Sequence, residues 1–291
     1  MRGGLVLEAQ RGGPVAFVRA CVWAGWLEYR NLRYHPSNLA LATVQQLTLV
    51  GVWFFTARFF GSAADRAVTA YGGNYVSYVL IGVIFNQVAT AALAGPFTTI
   101  SDAFWDKRLE TYRLATHGIR ANVLGRLGWN VLFASVLQGC VLVALLLTGV
   151  FRLHRGIHWG IVLLTLVLTV GANGGLGVIG ASLFFLLEVK SGQEPVTWAY
   201  RYLVMIVSGL YIPSSVLPAW LRATGGVLPQ TYTFQVARAV LLTGAGYRAP
   251  LVASGLTGLA VGAALACFGG YALLAHALRR AERRGGIGVV A

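Results

Sequence analysis

The chain has 291 residues, of which 57% are hydrophobic and 11% charged, and its mean hydropathy is +0.68. Soluble domains carry about 25% charged residues, so this composition excludes an ordinary water-soluble fold and favours one helical membrane domain. A net charge of +14 would suit nucleic acid, but the basic residues cluster at the ends of apolar segments, as in membrane proteins. We therefore expect membrane lipid, and not nucleic acid, as a partner.

Residues 1–14 are predicted to be a flexible N-terminus, and residues 15–36 an amphipathic interfacial helix. Aromatic and aliphatic side chains alternate there with Arg19, Glu28, Arg30 and Arg33. A helix of this kind is expected to lie in the membrane interface, and a short soluble helix docked on the protein is the alternative. Pro36 should end it, because proline lacks an N–H and disfavours helical backbone at the preceding residue.

Six apolar segments follow, each near the ~20 residues that a helix needs to cross the hydrocarbon of a bilayer. Their predicted bounds are 39–60, 74–97, 123–149, 159–187, 196–212 and 250–278. The expected fold is an all-α integral membrane protein whose six-helix domain covers residues 37–280, with a cytoplasmic tail at 281–291. If the N-terminus is cytoplasmic, sixteen Lys and Arg residues lie on that side and seven on the other. This bias predicts that both termini are cytoplasmic.

The predicted first cytoplasmic loop, residues 98–122, is charged. Asp102, Asp106 and Glu110 are spaced four apart and share one face of a helix, and Glu110 can pair with Arg113. The spacing predicts a short charged helix at the cytoplasmic surface, and an ordinary solvated loop helix is the alternative.

The predicted external stretch 211–249 is long but apolar. Pro213, Pro218 and Pro229 divide it into pieces too short to cross a membrane. We expect two short helices, about 215–224 and 230–243, that dip back into the outer leaflet as re-entrant helices, with the backbone at their turn buried in protein.

The middle of each predicted span lacks Asp, Glu, Lys and Arg, which disfavours an ion-coupled carrier. The spans do contain amides: Gln45, Gln46, Asn86, Gln87, Gln138 and Asn173. These side chains either bond neighbouring helices together or line a substrate pathway. The glycines of the fourth span and the pair Gly258 and Gly262 favour close helix packing, within the subunit or between subunits.

No catalytic set or metal site is predicted. Cys21, Cys140 and Cys267 are far apart, and the nearest histidines, His154 and His158, have no carboxylate beside them. The sequence also lacks a glycine-rich loop that could cradle a phosphate.

Three stretches together resemble the permease subunit of type-2 ATP-binding-cassette (ABC) exporters, a likeness that extends over about residues 20–280. The most specific comprises Ser208-Gly209-Leu210-Tyr211-Ile212-Pro213, Leu217-Pro218-Ala219-Trp220-Leu221 and Leu228-Pro229-Gln230-Thr231-Tyr232. The second is 104–126, which ends in Leu124-Gly125-Arg126, and the third is Tyr29-Arg30-Asn31-Leu32. The segment Lys107-Arg108-Leu109-Glu110-Thr111-Tyr112 departs from the family by lacking a glycine.

This resemblance implies a transport subunit of a bacterial plasma (inner) membrane that is not itself an enzyme. ATP would be bound and hydrolysed by a separate ABC ATPase subunit, and a second permease, identical or related, would complete the pathway. Substrates of the family include drugs, lipids and lipid-linked polysaccharides. The implied coupling residues are Asp102, Asp106, Lys107, Arg108, Glu110, Arg113, Glu28 and Arg30, and the re-entrant region contains Pro213, Pro218, Pro229 and Tyr232. A non-transporting scaffold or regulatory subunit, and a membrane-embedded enzyme, remain as alternatives.

Overall fold

The computed structural model describes residues 13–72, 74–106, 118–149, 153–186 and 195–283, and these residues form helices and connections without a strand. Nine α-helices follow one another in this part of the chain. They are α1 (Pro14–Tyr34), α2 (Pro36–Asp65), α3 (Tyr75–Trp105), α4 (Gly118–Leu147), α5 (Trp159–Leu186), α6 (Pro195–Val207), α7 (Ala219–Val227), α8 (Pro229–Thr243) and α9 (Pro250–Arg283).

The described residues confirm the prediction of an all-helical fold, and five of these helices are long and apolar enough to cross a membrane. The apolar stretches are Pro36–Phe60, Tyr75–Trp105, Gly118–Leu147, Trp159–Leu183 and Pro250–Ala277. The predicted count of six is not reached among the described residues. The predicted span 196–212 contains only the 13-residue helix α6, which is about 20 Å long and ends where a run of bends begins at Ser208.

The connection between α3 and α4 is shorter than the predicted loop 98–122, because helix α3 continues to Trp105 and helix α4 already begins at Gly118. Hydropathy falls at Thr98 and Thr99, where the sequence suggested the end of a span. Both hydroxyls instead donate to the backbone of their own helix, Thr98 to Ala94 O at 3.1 Å and Thr99 to Gly95 O at 2.7 Å. Since these polar groups are satisfied inside the helix, they do not end it.

Helix α3 lies at the centre of the bundle and is the most buried of the five apolar helices. Glycines allow the helices around it to approach closely. Gly177 of α5 lies against the backbone of Leu93 in α3, and a methyl group at Gly175 would lie 2.7 Å from the Cys267 amide nitrogen of α9. The glycines of the fourth predicted span therefore pack helices within this chain.

Helix α8 runs antiparallel to the first half of α9. Gly262, twelve residues into α9, faces Pro229 at the start of α8, and Gly258 faces the ring of Tyr232. A methyl group at Gly262 would lie 2.9 Å from the Pro229 ring, so this small-residue face is filled by α8 of the same chain. The pair Gly258 and Gly262 thus serves packing inside the subunit.

Candidate functional site

An ion-pair cluster joins three helices at the end of the molecule where α3 ends and α4 begins. Arg126 of α4 lies between two carboxylates: its Nε is 2.7 Å from Glu28 Oε1 of α1, and its guanidinium donates to Asp102 Oδ2 of α3 at 3.0 Å. The cluster therefore ties the N-terminal helix to α3 and α4. We call Glu28, Asp102 and Arg126 the ion-pair triad.

Close backbone packing places Glu28 beside Arg126. A methyl group at Gly125 would collide with the carbonyl oxygen of Cys21 and lie 2.7 Å from Ala24 Cβ. The ring of Tyr29 packs edge-to-face on Trp129 with 5.6 Å between ring centroids. Because α1 docks on α4 along this face, its opposite face leaves the large apolar side chains of Trp23 and Leu27 exposed.

The structure brings together two of the predicted coupling residues, Glu28 and Asp102, through a third residue that was not among them. Arg126 lies in the Leu-Gly-Arg motif, but the sequence alone does not show that its partner is a residue of α1. Asp106 is exposed at the end of α3, and the Arg30 guanidinium lies 5.8 Å from the centre of the Tyr34 ring. Lys107, Arg108, Glu110 and Arg113 lie outside the described residues.

The amides divide into distinct groups. Gln46 Nε2 donates to Gln138 Oε1 at 3.0 Å, and Gln87 Nε2 donates to Gln46 Oε1 at 2.6 Å, so one amide chain links α2, α3 and α4. Gln45 is exposed on α2 and Asn86 is half-buried on α3. The linked amides act as interhelical hydrogen bonds, whereas Gln45 has the exposure that a pathway residue needs.

Asn173 is fully buried where α5 meets α8. Its Nδ2 donates to Thr169 O at 2.9 Å, and the Thr169 hydroxyl lies 2.8 Å from the Thr233 hydroxyl of α8. Among the described residues, its Oδ1 has no hydrogen-bond partner, and neither has the buried Oε1 of Gln230 one turn before Thr233. Asn173 thus belongs to a buried polar contact between α5 and α8.

The backbone that follows α6 is held by an arginine of the predicted external stretch 211–249, Arg238. Arg238 of α8 is 2% exposed. Its guanidinium donates to the carbonyl oxygens of Tyr78 at 3.0 Å, Gly209 at 2.8 Å and Leu210 at 2.8 Å. It also lies over the Tyr78 ring, 3.5 Å from its centre.

No carboxylate of the described residues pairs with Arg238, so carbonyl groups and aromatic rings surround its charge. Nearby tyrosines complete the arrangement, since the Tyr78 hydroxyl donates to Gly209 O at 2.9 Å and the Tyr75 hydroxyl donates to Tyr211 O at 3.0 Å. Burial raises the pKa of Tyr71, against the effect of the Arg238 charge, so this phenol stays neutral. The carbonyls of residues 209–211 are all hydrogen-bonded despite the helix break.

The residues of the predicted re-entrant region lie at helix starts. Pro213 precedes a short 3₁₀ turn, Pro218 precedes α7, and Pro229 is the first residue of α8, a position that suits a residue without an N–H. The Tyr232 hydroxyl donates to Gly226 O of α7 at 2.7 Å, which fixes the two short helices to each other.

No protein-family model and no curated protein matches this chain. Within the described residues, no group of three or more His, Cys, Asp or Glu side chains could hold a metal ion.

Proposed function

We propose that this chain is the permease subunit of a type-2 ABC exporter, which forms the substrate pathway and couples to a separate ATPase subunit. A drug-like molecule, a lipid or a lipid-linked polysaccharide would be the substrate. The observation that carries the proposal is the ion-pair triad, which ties the amphipathic helix α1 to α3 and α4, the two helices that flank the predicted first cytoplasmic loop. A subunit that responds to a partner docked beneath it needs such a mechanical link, because motion at the membrane surface must reach the spans.

The proposal includes a sixth crossing, and the path of the chain supports it. The His154 amide, just before α5, donates to Leu241 O at 3.0 Å, and Gly244 lies against the His154 ring. Helix α5 is 28 residues, or about 42 Å, long and carries the chain away from this end. Because the chain is back beside His154 by residue 241, a return across the membrane between the end of α5 and the end of α8 accounts for this contact.

The segment 196–212 suits this crossing although α6 itself is short. Irregular backbone is tolerated at membrane depth only where protein buries it and satisfies its polar groups. Ser208 and Leu210 are buried, and Arg238 and Tyr78 supply the donors to the carbonyls of Gly209 and Leu210. Tyr211 stacks on Trp53 of α2 with 3.5 Å between ring centroids, which fixes the end of the segment to the first span.

The contacts at the two ends of α8 support the re-entrant helices. Pro229 lies opposite Gly262, about 18 Å along α9 from its first residue, whereas the other end of α8 lies beside His154 at the surface. A helix that starts near the middle of a spanning helix and ends at its outer end enters the membrane without crossing it.

Co-purification tests the proposal. The full chain, extracted in mild detergent at native expression, should carry an ABC ATPase in equal amounts, and substrate should stimulate ATP hydrolysis by the complex. The Arg126→Gln variant should keep the ATPase bound but lose most of that stimulation, because the triad no longer joins α1 to α3 and α4. Arg248→Gln, an exposed arginine outside the triad, is the matched control.

A homomer that carries no ATPase would overturn the proposal and favour a scaffold subunit or a membrane enzyme. An ATPase whose rate never responds to any transported compound would favour a non-transporting regulatory subunit. An Arg126→Gln complex as responsive as the control would show that the triad does not couple the two subunits.

A further inference from the structure

A cavity of about 400 Å³ lies between four helices and is lined almost wholly by apolar groups. Its walls include Phe17 of α1, Leu127 of α4, Gly171 of α5 and Leu274 of α9. Three of these four helices are among those able to cross a membrane, so the cavity is built into the membrane domain. An apolar space of this kind suits a hydrocarbon chain.

One charged residue stands in this lining. Arg120, in the first turn of α4, is exposed, and its guanidinium lies 5.6 Å from the centre of the Tyr271 ring. No carboxylate of the described residues pairs with it. A second arginine lies near the same end, because Arg279 Nε donates at 3.3 Å to the carbonyl of Ala275, which also lines the cavity.

The charge and the apolar lining are separated along the membrane normal. Gly171 is twelve residues from the start of α5, roughly 18 Å along a 28-residue helix, which places this wall near the middle of the bilayer. Arg120 and Arg279 lie at helix ends, on the side that the Lys and Arg bias assigns to the cytoplasm. The cavity thus offers a cationic mouth at the membrane surface and an apolar interior that extends inward from it.

We propose that this cavity binds one acyl chain of an anionic phospholipid from the cytoplasmic leaflet, with the lipid phosphate at Arg120. The leaflet supplies the ligand at high local concentration, and its surface potential favours cationic side chains. The bound lipid would join α1 to α4, α5 and α9, and this site does not depend on whether the chain transports anything.

Native mass spectrometry of the purified full chain tests the site. After delipidation, the protein is incubated with phosphatidylglycerol or phosphatidylcholine of matched chain length, and retained lipid is counted. Wild type should retain phosphatidylglycerol in preference, and Arg120→Gln should retain it about fivefold more weakly, the effect of one basic residue at an anionic surface. Arg248→Gln, an exposed arginine at the other end of α9, should behave as wild type.

A second variant tests the acyl-chain part. A methyl group at Gly171 meets only Ala263 Cβ, at an ordinary 3.7 Å, so Gly171→Leu adds bulk to the cavity wall without a backbone clash. It should reduce retention of both lipids while leaving the elution volume and helix content unchanged. Equal retention of the two lipids by wild type, or unchanged phosphatidylglycerol retention by Arg120→Gln, would overturn the proposal, as would Gly171→Leu protein that binds like wild type.

Discussion

Arg238 illustrates how one side chain makes an irregular segment possible in an apolar environment. Helix α6 ends at Val207, and the next residues expose carbonyls that lipid cannot satisfy. The planar guanidinium presents several N–H groups in fixed directions and reaches the carbonyls of Tyr78, Gly209 and Leu210 at once. A methyl group at Gly82 would lie 2.9 Å from Leu210 O, so α3 can approach this arrangement only with a glycine there.

The Arg238→Ala variant should therefore be strongly destabilised, by about 3 kcal/mol, because it leaves buried carbonyls unpaired and a cavity beside Tyr78. Arg238→Lys should fall between the variant and wild type, since an ammonium group cannot match the fork of a guanidinium. Thermal unfolding of the purified protein in detergent measures both, with the exposed Arg248→Ala as the control. A melting temperature for Arg238→Ala equal to that of the control would contradict the assigned role.

The glutamines of α2 allow a second comparison between neighbouring residues. Gln46 is 2% exposed and bonded to both Gln87 and Gln138, whereas Gln45 is exposed. Gln46→Leu should lower stability by about 1 kcal/mol, as expected for interhelical amide bonds in membrane proteins, while Gln45→Leu should leave it unchanged. Unfolding of both variants in detergent measures the two losses. A larger loss of stability for Gln45→Leu than for Gln46→Leu would contradict the assignment of Gln46 to interhelical hydrogen bonding.

At this scale the sequence identifies residue types but not their neighbours. Gln46 and Gln138 are recognisable as amides in apolar segments, and either a structural or a lining role follows from that alone. Their pairing depends on the rotation of α2 relative to α4, which hydropathy does not specify. The buried position of Arg238 was not predicted for a related reason. An arginine beyond the end of a predicted span is interpreted as a surface residue until the depth of its helix is known.

Helix α1 docks on α4 although none of its own residues is fully buried. Its docking face relies on the absence of a side chain at Gly125, opposite Cys21 and Ala24. Gly128, in the same helix α4, is exposed, and a methyl group there would have no other atom within 4 Å. The two glycines lie in the same helix, but only Gly125 contacts α1.

Gly125→Ala should displace α1 and break the contact between Glu28 and Arg126, whereas Gly128→Ala should not. Both changes raise helix propensity equally, so the comparison isolates the steric effect. Hydrogen exchange of the amides of residues 15–33 provides the measurement. The rate should rise by about tenfold or more in Gly125→Ala, corresponding to a docking loss of about 1.4 kcal/mol. Equal exchange in both variants would mean that α1 is not held at Gly125.

The long helices are the part of the fold that composition predicts best, since lipid imposes a minimum apolar length. Their ends are less certain, as the continuation of α3 to Trp105 shows, because threonine lowers hydropathy without ending a helix. Helix α6 shows the opposite problem. Apolar residues continue after Val207, but the backbone bends there. The bend is possible because Arg238, Tyr75 and Tyr78 donate hydrogen bonds to the carbonyl groups of residues 209–211.

For the whole molecule, the decisive question is the number of crossings. With five crossings the two termini lie on opposite sides of the membrane, and with six they lie on the same side. The position of residues 241–247 beside His154 favours six, because the chain must return to that end after α5. Arg19 and Arg155 lie on the same sides of the membrane in both topologies. Arg248 is external and Arg279 cytoplasmic with six crossings, and the reverse holds with five.

Cysteine labelling in intact cells distinguishes the two topologies. In a background without Cys21, Cys140 and Cys267, single cysteines replace Arg19, Arg155, Arg248 and Arg279, all of them exposed. A membrane-impermeant maleimide should label positions 155 and 248 directly, and positions 19 and 279 only after permeabilisation. Labelling of 279 in place of 248 would establish five crossings and remove the sixth span from the proposed permease. The Lys and Arg bias places positions 19 and 279 in the cytoplasm. Labelling of both positions in intact cells would therefore show that the protein has the opposite orientation.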